Sequence, residues 1–453
     1  MHLDSLHARL AAGVKPNSRG YEWRIAQLKA LRSLLSENEP AILEALWKDL
    51  HKPPFECIAT EHGLVLSEIE HALKHLHGWM KPERSFAPIY NQPGRCEVRF
   101  DSRGLVLIIG AWNYPVQLLF APLVAAIAAG NSAILKPSEI TVATAALIGE
   151  LVPKYLDQDS FGVVEGGAEE SGALLDKKFD YIFFTGSGKV GQIVMGKAAA
   201  HLTPVTLELG GKSPCAVLDD CDLKVTARRI AWGKFMNAGQ TCVAPDYVMV
   251  QPSIKVAFLE ELEAAIVALY GQDPRLSPDY CRIVNAANFD RLVKLKAGAR
   301  LVHGGTEVKE ELYLAPTVLE ADWQNDIMQG EIFGPLLPVL TMPDSKSMIE
   351  AINKLPHPLA LYVFTGSGAR ANEFLEGTTS GGACINDVVI HMPVESMPFG
   401  GVGASGMGHY HGVYGFRTLS HMKAVLKKTF WFDLPLRYAP YSAEKISWFR
   451  RLF

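Results

Sequence analysis

The chain has 453 residues, 48% hydrophobic and 20% charged, the balance of a globular protein too long for a single core, so two or three domains are expected. Lys plus Arg number 44 against 48 Asp plus Glu, a formal charge of -4, which leaves no strong field to draw nucleic acid or anionic lipid. Seven cysteines, at 57, 96, 215, 221, 242, 281 and 384, form no CxxC pair of a zinc site or disulfide framework and fit a reducing, cytoplasmic setting. The opening MHLDSLHARL lacks the basic-then-apolar layout of a signal peptide, and no stretch approaches the ~20 apolar residues of a spanning helix.

From 21 to 50 apolar residues recur at helical spacing, Ile25, Leu28, Leu31 and Leu35, then Ile42, Leu43, Leu46 and Leu50, with a break from 36 to 40. The pattern predicts two packed amphipathic helices, the second opening at Pro40. A third helix is expected over 63–80. After Pro82, Pro88, Pro93 and Gly94, alternation of Cys96, Val98 and Phe100 with polar residues reads as a linker and a strand. Short apolar runs then follow at 105–109, 132–135, 161–164, 181–184 and 205–209, each succeeded by a helical pattern, which predicts a parallel sheet covered on both faces. A second series begins after the GGK at 210–212, with strands near 215–218 and 247–250 and helices near 223–236 and 254–270. The expected fold class is therefore α/β, with two doubly wound domains meeting near Gly210. The glycine-dense stretch 398–415 gives way to a strand-like run ending near Leu426, which leaves the second domain.

GSGKVG at 186–191 follows the 181–184 strand and opens a helix, the context in which GxGxxG marks a dinucleotide site. Gly186, Ser187 and Gly191 would let a pyrophosphate approach a helix N-terminus. The same fingerprint puts an acidic ribose ligand ~20 residues on, where Glu208 stands; a tight turn without a ligand is the plain alternative. Cys242 lies in NAGQTC at 237–242, a polar turn after a helix, whereas Cys215 and Cys384 sit in apolar strand-like settings. Exposed turn placement suits a reactive thiolate, although a lone cysteine is more often a small buried hydrophobe. Loops at the carboxyl ends of parallel strands form the ligand crevice, which brings Asn113, Lys136, Glu139, Gly186 and Glu208 to one face. Taken singly, Asn113 reads equally well as a helix cap and Lys136 as a solvated lysine.

With GAWNYP at 110–115, ILKPSE at 134–139, FFTGSGKVG at 183–191, LELGGKSP at 207–214, NAGQTCVAPDY at 237–247, EIFGP at 331–335, INDVVIH at 385–391 and PFGGVGASGMGHYHGVYGF at 398–416, the chain resembles an aldehyde dehydrogenase of the class 3 branch over about residues 21 to 441. Ala404 departs from the asparagine often found there. The resemblance implies a variant Rossmann cofactor domain over 1–80 and 104–209, a catalytic domain over 210–402, a bridging oligomerisation segment of 81–103 and 403–428 that shares a sheet across a homodimer, and a tail of 429–453. It also reassigns Glu208 of LELGG as the general base and gives the ribose role to Glu139. Lys136 and Glu331 would hold the cofactor riboses, with Phe333 beside them, and the cofactor is NAD or NADP, with NAD favoured because Glu139 repels a 2′-phosphate. Tyr114, Thr241, Phe399 and His411 match positions bordering the substrate tunnel, and their apolar character points to medium or long aliphatic and aromatic aldehydes.

Oxidising an aldehyde to an acid requires a nucleophile, a donor for the oxyanion and a base to activate water. Cys242, Asn113 with the Cys242 backbone N–H, and Glu208 supply that set. Transfer of the acyl group to coenzyme A is the neighbouring alternative, a non-catalytic protein retaining the fold is another, and oxidation of Cys242 as a thiol sensor is compatible with catalysis. His71 and His75 have the i, i+4 spacing of a metal chelate, but no third acidic ligand is near and a solvated helix face is the plainer reading, so no metal is expected. The tail AEKISWFRRLF at 443–453 mixes apolar and basic residues in a way compatible with weak contact at a membrane surface; packing on the chain itself or on a partner subunit weighs more.

Overall fold

The computed structural model describes residues 3–14 and 18–452; Met1, His2 and Phe453 of the terminal segments read above lie outside the described residues. The helices Tyr21–Glu37 and Glu39–Leu50 meet at Asn38, and the second carries its proline in the first turn. The helix expected over 63–80 runs from Gly63 to Trp79, preceded by a short helix Pro54–Cys57 and a π-helical turn Ile58–His62 that sequence periodicity does not reveal. Gly63 makes this turn possible, because a Cβ there would lie 2.4 Å from the Ile58 carbonyl oxygen.

The first sheet has six strands in the order Gly406–Met407, Val205–Glu208, Tyr181–Thr185, Leu105–Ile109, Ser132–Lys136, Phe161–Val163. All pairings are parallel except the short Gly406–Met407 edge. Leu105–Ile109 and Ser132–Lys136 are buried at every position, as strands covered on both faces must be. The helix Gln117–Ala129 is buried along its whole length, wedged against the helices Tyr21–Glu37, Gly63–Trp79 and Gly412–Thr418, and therefore lacks a polar face.

The second sheet has seven strands in the order Arg300–His303, Thr317–Glu320, Leu336–Thr341, Tyr247–Val250, Pro214–Val217, Ala360–Phe364, Gly382–Ile385. Only its first strand is antiparallel. A third, three-stranded antiparallel sheet joins Glu83–Phe86, Gly94–Ser102 and Ser420–Lys428. The 403–428 stretch expected to act as one bridging unit is divided: Gly406–Met407 edges the first sheet, Gly412–Thr418 packs on Gln117–Ala129, and only Ser420–Lys428 joins the antiparallel sheet. The cause is local, since a Cβ at Gly406 would lie 2.0 Å from the Leu207 carbonyl oxygen, so glycine alone lets the returning chain dock there.

Candidate active site

The site is built around the end of the helix Leu223–Phe235. Its start is capped by Asp222, which accepts from Val225 N at 3.0 Å. Past its end Asn237, Ala238 and Gly239 take φ values of 52°, 50° and 74°, a left-handed run that non-glycine residues adopt only under constraint. The constraint is a set of side-chain bonds. Gln240 Nε2 donates to the carbonyls of Asn237 and Arg282, each at 3.0 Å, and its Oε1 accepts from Val284 N at 2.9 Å. Asn237 Nδ2 donates to the Asn113 carbonyl at 2.9 Å and the Gln240 carbonyl at 3.1 Å. Asn113 Nδ2 donates to the same Gln240 carbonyl at 3.1 Å; an amide nitrogen carries two protons, so one N–H of Asn113 is left for a ligand.

This turn delivers Cys242 to a cavity of about 490 Å³. The walls include Tyr114, Thr241, Phe399, Tyr410, Trp232 and Met236, with the hydroxyls of Tyr114 and Thr241 bonded at 2.6 Å. Tyr114, Thr241 and Phe399 all line this cavity. His411 does not: its Nδ1 lies 3.4 Å from Glu68 and its ring stacks on Tyr410, a layer behind the cavity. Trp232 and Met236 were missed by sequence reading, although their i, i+4 spacing one turn ahead of NAGQTC was the available signal.

The expectation of an exposed thiolate needs correcting. Cys242 is partly buried, and burial together with the nearby Glu331 and Glu208 carboxylates pushes its thiol up to about 12, so in this state the sulfur holds its proton. Glu208 ends the strand Val205–Glu208 and is 3% exposed, with neither carboxylate oxygen hydrogen-bonded. Burial raises it well above the usual carboxylate range, which makes it a strong base once ionised. Its carboxylate is close enough to act on the Cys242 thiol, while its backbone carbonyl accepts from Gly186 N at 3.0 Å.

Of the residues expected to hold the cofactor, Lys136, Glu139, Gly186, Ser187 and Gly191 lie at or just beyond the carboxyl ends of strands in the first sheet. A Cβ at Gly186 would sit 2.6 Å from the Phe184 ring and one at Gly191 2.8 Å from Leu209, so the loop hugs the sheet as a dinucleotide turn must. Ser187 caps the helix Gly188–Ala199, accepting from Val190 N at 3.4 Å. Lys136 is buried, donates to the Gly166 carbonyl at 2.6 Å and the Pro137 carbonyl at 2.8 Å, and lies 3.7 Å from the half-exposed Glu139 carboxylate. Across the junction, Glu331 lies where a Cβ on Gly210 would come within 2.3 Å of both its oxygens; burial, then Asp246, raises it to about 8. Phe333 has φ 50° and its ring meets Trp112 edge-on at 5.2 Å. A Cβ-free cradle, a helix N-terminus and an accessible carboxylate together fit a nicotinamide dinucleotide.

The His71 and His75 rings lie with centroids 4.3 Å apart and planes tilted by 40°, Trp79 beside both, and form an aromatic patch; among the described residues no group of three His, Cys, Asp or Glu gathers for a metal ion. No helix among the described residues is long and apolar enough to cross a membrane. The tail helix Ala443–Leu452 rests on the turn Pro435–Arg437 of the chain itself.

The sequence model of the Aldehyde dehydrogenase family matches residues 12–425. The chain belongs to the aldehyde dehydrogenase family. Within it the chain falls in the class 3 branch, being 46% identical to aldehyde dehydrogenase family 3 member B1 of Homo sapiens over 95% of this chain and 92% of that one. It is 44% identical to the dimeric NADP-preferring aldehyde dehydrogenase of Canis lupus familiaris over 94% of this chain and 95% of that one. The substrate-bound structure of Staphylococcus Aureus AldH superimposes with a TM-score of 0.97 at 40% identity, covering 100% of both chains. This aldehyde dehydrogenase is an enzyme that oxidises aldehydes with NAD or NADP.

Proposed function

We propose that this dehydrogenase oxidises medium or long aliphatic and aromatic aldehydes to carboxylic acids through a thioester on Cys242. The observation that supports the reading is that the turn presenting Cys242 to an apolar cavity is bonded through Gln240 to the Asn113 amide, while the unpartnered Glu208 carboxylate lies close enough to act on the Cys242 thiol. As Cys242 Sγ bonds to the aldehyde carbon, its proton leaves to ionised Glu208, directly or through water. The carbonyl oxygen gains charge and accepts from Asn113 Nδ2 and the Cys242 backbone N–H, donors each worth ~100 to 1000-fold in rate. A nicotinamide held by the residues assigned to the cofactor would supply the hydride acceptor needed to reach the thioester. Glu208 gives the thiol proton up to solvent and then takes one from water; the new C–O bond forms, the C–S bond breaks, and the acid leaves as that second proton passes from Glu208 to the Cys242 sulfur.

Lys136 and Glu139 hold one ribose, Glu331 with Phe333 the other, and Gly186, Ser187 and Gly191 the phosphates. The active form is a homodimer assembled through the antiparallel sheet. Seven free cysteines support a reducing cytoplasm, and the tail helix adds at most a weak membrane contact. Kinetics of Glu208→Gln test the scheme. A pre-steady-state burst of reduced cofactor followed by slow turnover is expected; acyl-CoA as the product, or activity surviving Cys242→Ala, would refute it.

A further inference from the structure

A fully buried ion pair lies outside the residues assigned above. Lys52 and Glu61 are each 0% exposed, with Nζ 2.5 Å from Oε1. Neither belongs to a recognised motif; Lys52 follows the helix Glu39–Leu50, and Glu61 sits on the π-helical turn that Gly63 permits. Both spend their remaining bonding capacity on the segment that bears Asn113. Lys52 Nζ donates to the Asn113 carbonyl at 3.0 Å and lies 4.1 Å above the Tyr114 ring. Glu61 Oε2 accepts from Val116 N at 2.8 Å and Gln117 N at 3.4 Å, the open amides at the start of the helix Gln117–Ala129. The loop is thus gripped on its carbonyl side by an ammonium and on its amide side by a carboxylate.

Stability alone is a poor reason to keep such a pair. Buried ion pairs are often matched or exceeded by apolar residues of equal volume, while removing one partner strands a charge. Holding a donor within a fraction of an ångström of a developing oxyanion is a stronger reason, because preorganised dipoles there need no rearrangement as charge appears. We propose that Lys52 and Glu61 are positioning residues for the oxyanion donor, fixing the 113–116 loop so that the Asn113 amide stays beside the Cys242 turn. The inference rests on the oxyanion role of Asn113 given above.

A double-mutant cycle separates positioning from simple structure, because residues acting through one another fail to add. Glu61→Gln keeps an acceptor for Val116 N and removes the charge, and Lys52→Met/Glu61→Gln leaves no stranded charge should either single variant fold poorly. The single-turnover rate of cofactor reduction is measured in the wild-type and Asn113→Ala backgrounds, with thermal midpoint and NAD affinity by fluorescence titration alongside. Asn113→Ala is expected to slow reduction ~100 to 1000-fold. Either clamp variant should slow it ~10 to 100-fold in the wild-type background and less than ~3-fold in the Asn113→Ala background, with NAD affinity within ~2-fold of wild type. The same factor in both backgrounds, or no loss in either, overturns the positioning role and leaves Asn113 standing. An Asn113→Ala enzyme as fast as wild type overturns the oxyanion reading itself, and the inference with it.

Discussion

Cys242 and Glu208 are matched liabilities: burial holds the proton on the one and raises the proton affinity of the other. With a thiol near 12, about one molecule in 10⁵ carries the thiolate at pH 7. Alkylation of Cys242 by iodoacetamide in the cofactor-free enzyme should therefore be slow at pH 7 and rise about tenfold per pH unit up to pH 9, read by peptide mass spectrometry; a rate already at its plateau at pH 7 would sink this account of the resting site. Glu56 makes a second case. It lines the cavity and accepts from Asn237 N at 2.9 Å, and burial raises it from 4.5 to about 7. The folded chain then keeps a proton that the unfolded chain releases between those two values, so this group removes stability as pH climbs from 4.5 to 7. Glu56→Gln lacks that loss. Its urea midpoint relative to wild type should be higher at pH 8 than at pH 5, and parallel profiles would contradict the assignment. The motifs in the sequence marked Cys242, Asn113 and Glu208, but not Glu56, Lys52 or Glu61, because those act through tertiary bonds between segments far apart in the chain.

At the scale of elements, the parallel strands were legible because covered strands are continuous apolar runs, as in LVLII at 105–109. Two features were not. The π-helical turn Ile58–His62 depends on one glycine meeting one carbonyl, and the docking of Gly406–Met407 on Val205–Glu208 depends on another; neither leaves a periodic trace. The turn that carries Cys242 lies between these cases, its polarity readable and its left-handed run not. Gly239 is where the turn is least forgiving, with φ 74° and a virtual Cβ 2.3 Å from the Gly334 carbonyl oxygen. Gly239→Ala should cost on the order of 1–3 kcal/mol and displace Cys242, lowering kcat at least ~100-fold, the scale on which a misplacement of about 1 Å is felt. Denaturant melts and steady-state rates read both effects; wild-type kcat with an unchanged melt would show that the turn tolerates a side chain.

At the scale of the whole molecule, the antiparallel sheet is the part that the single chain leaves unfinished. Ser420–Lys428 is bonded to Gly94–Ser102 along one edge only, and a nine-residue edge with open amides is a template for another strand. Lys427 is held by Glu97 at 2.7 Å and Lys423 pairs with Asp101, so these two cations are neutralised within the sheet, while Lys428 at the strand's end donates to the Asn91 carbonyl at 2.7 Å. Met422 is 59% and Leu426 45% exposed, and Phe430 and Trp431 follow just beyond the strand, exposed as well, an apolar run of the kind that marks an interface. Light scattering on the size-fractionated enzyme at micromolar concentration should give twice the mass of one chain. Met422→Glu/Leu426→Glu should halve it with little change in the thermal midpoint measured at low concentration, because neither side chain contributes to the protomer's own core. A monomeric wild type, or a double variant still at the dimer mass, would move the assembly surface away from this sheet.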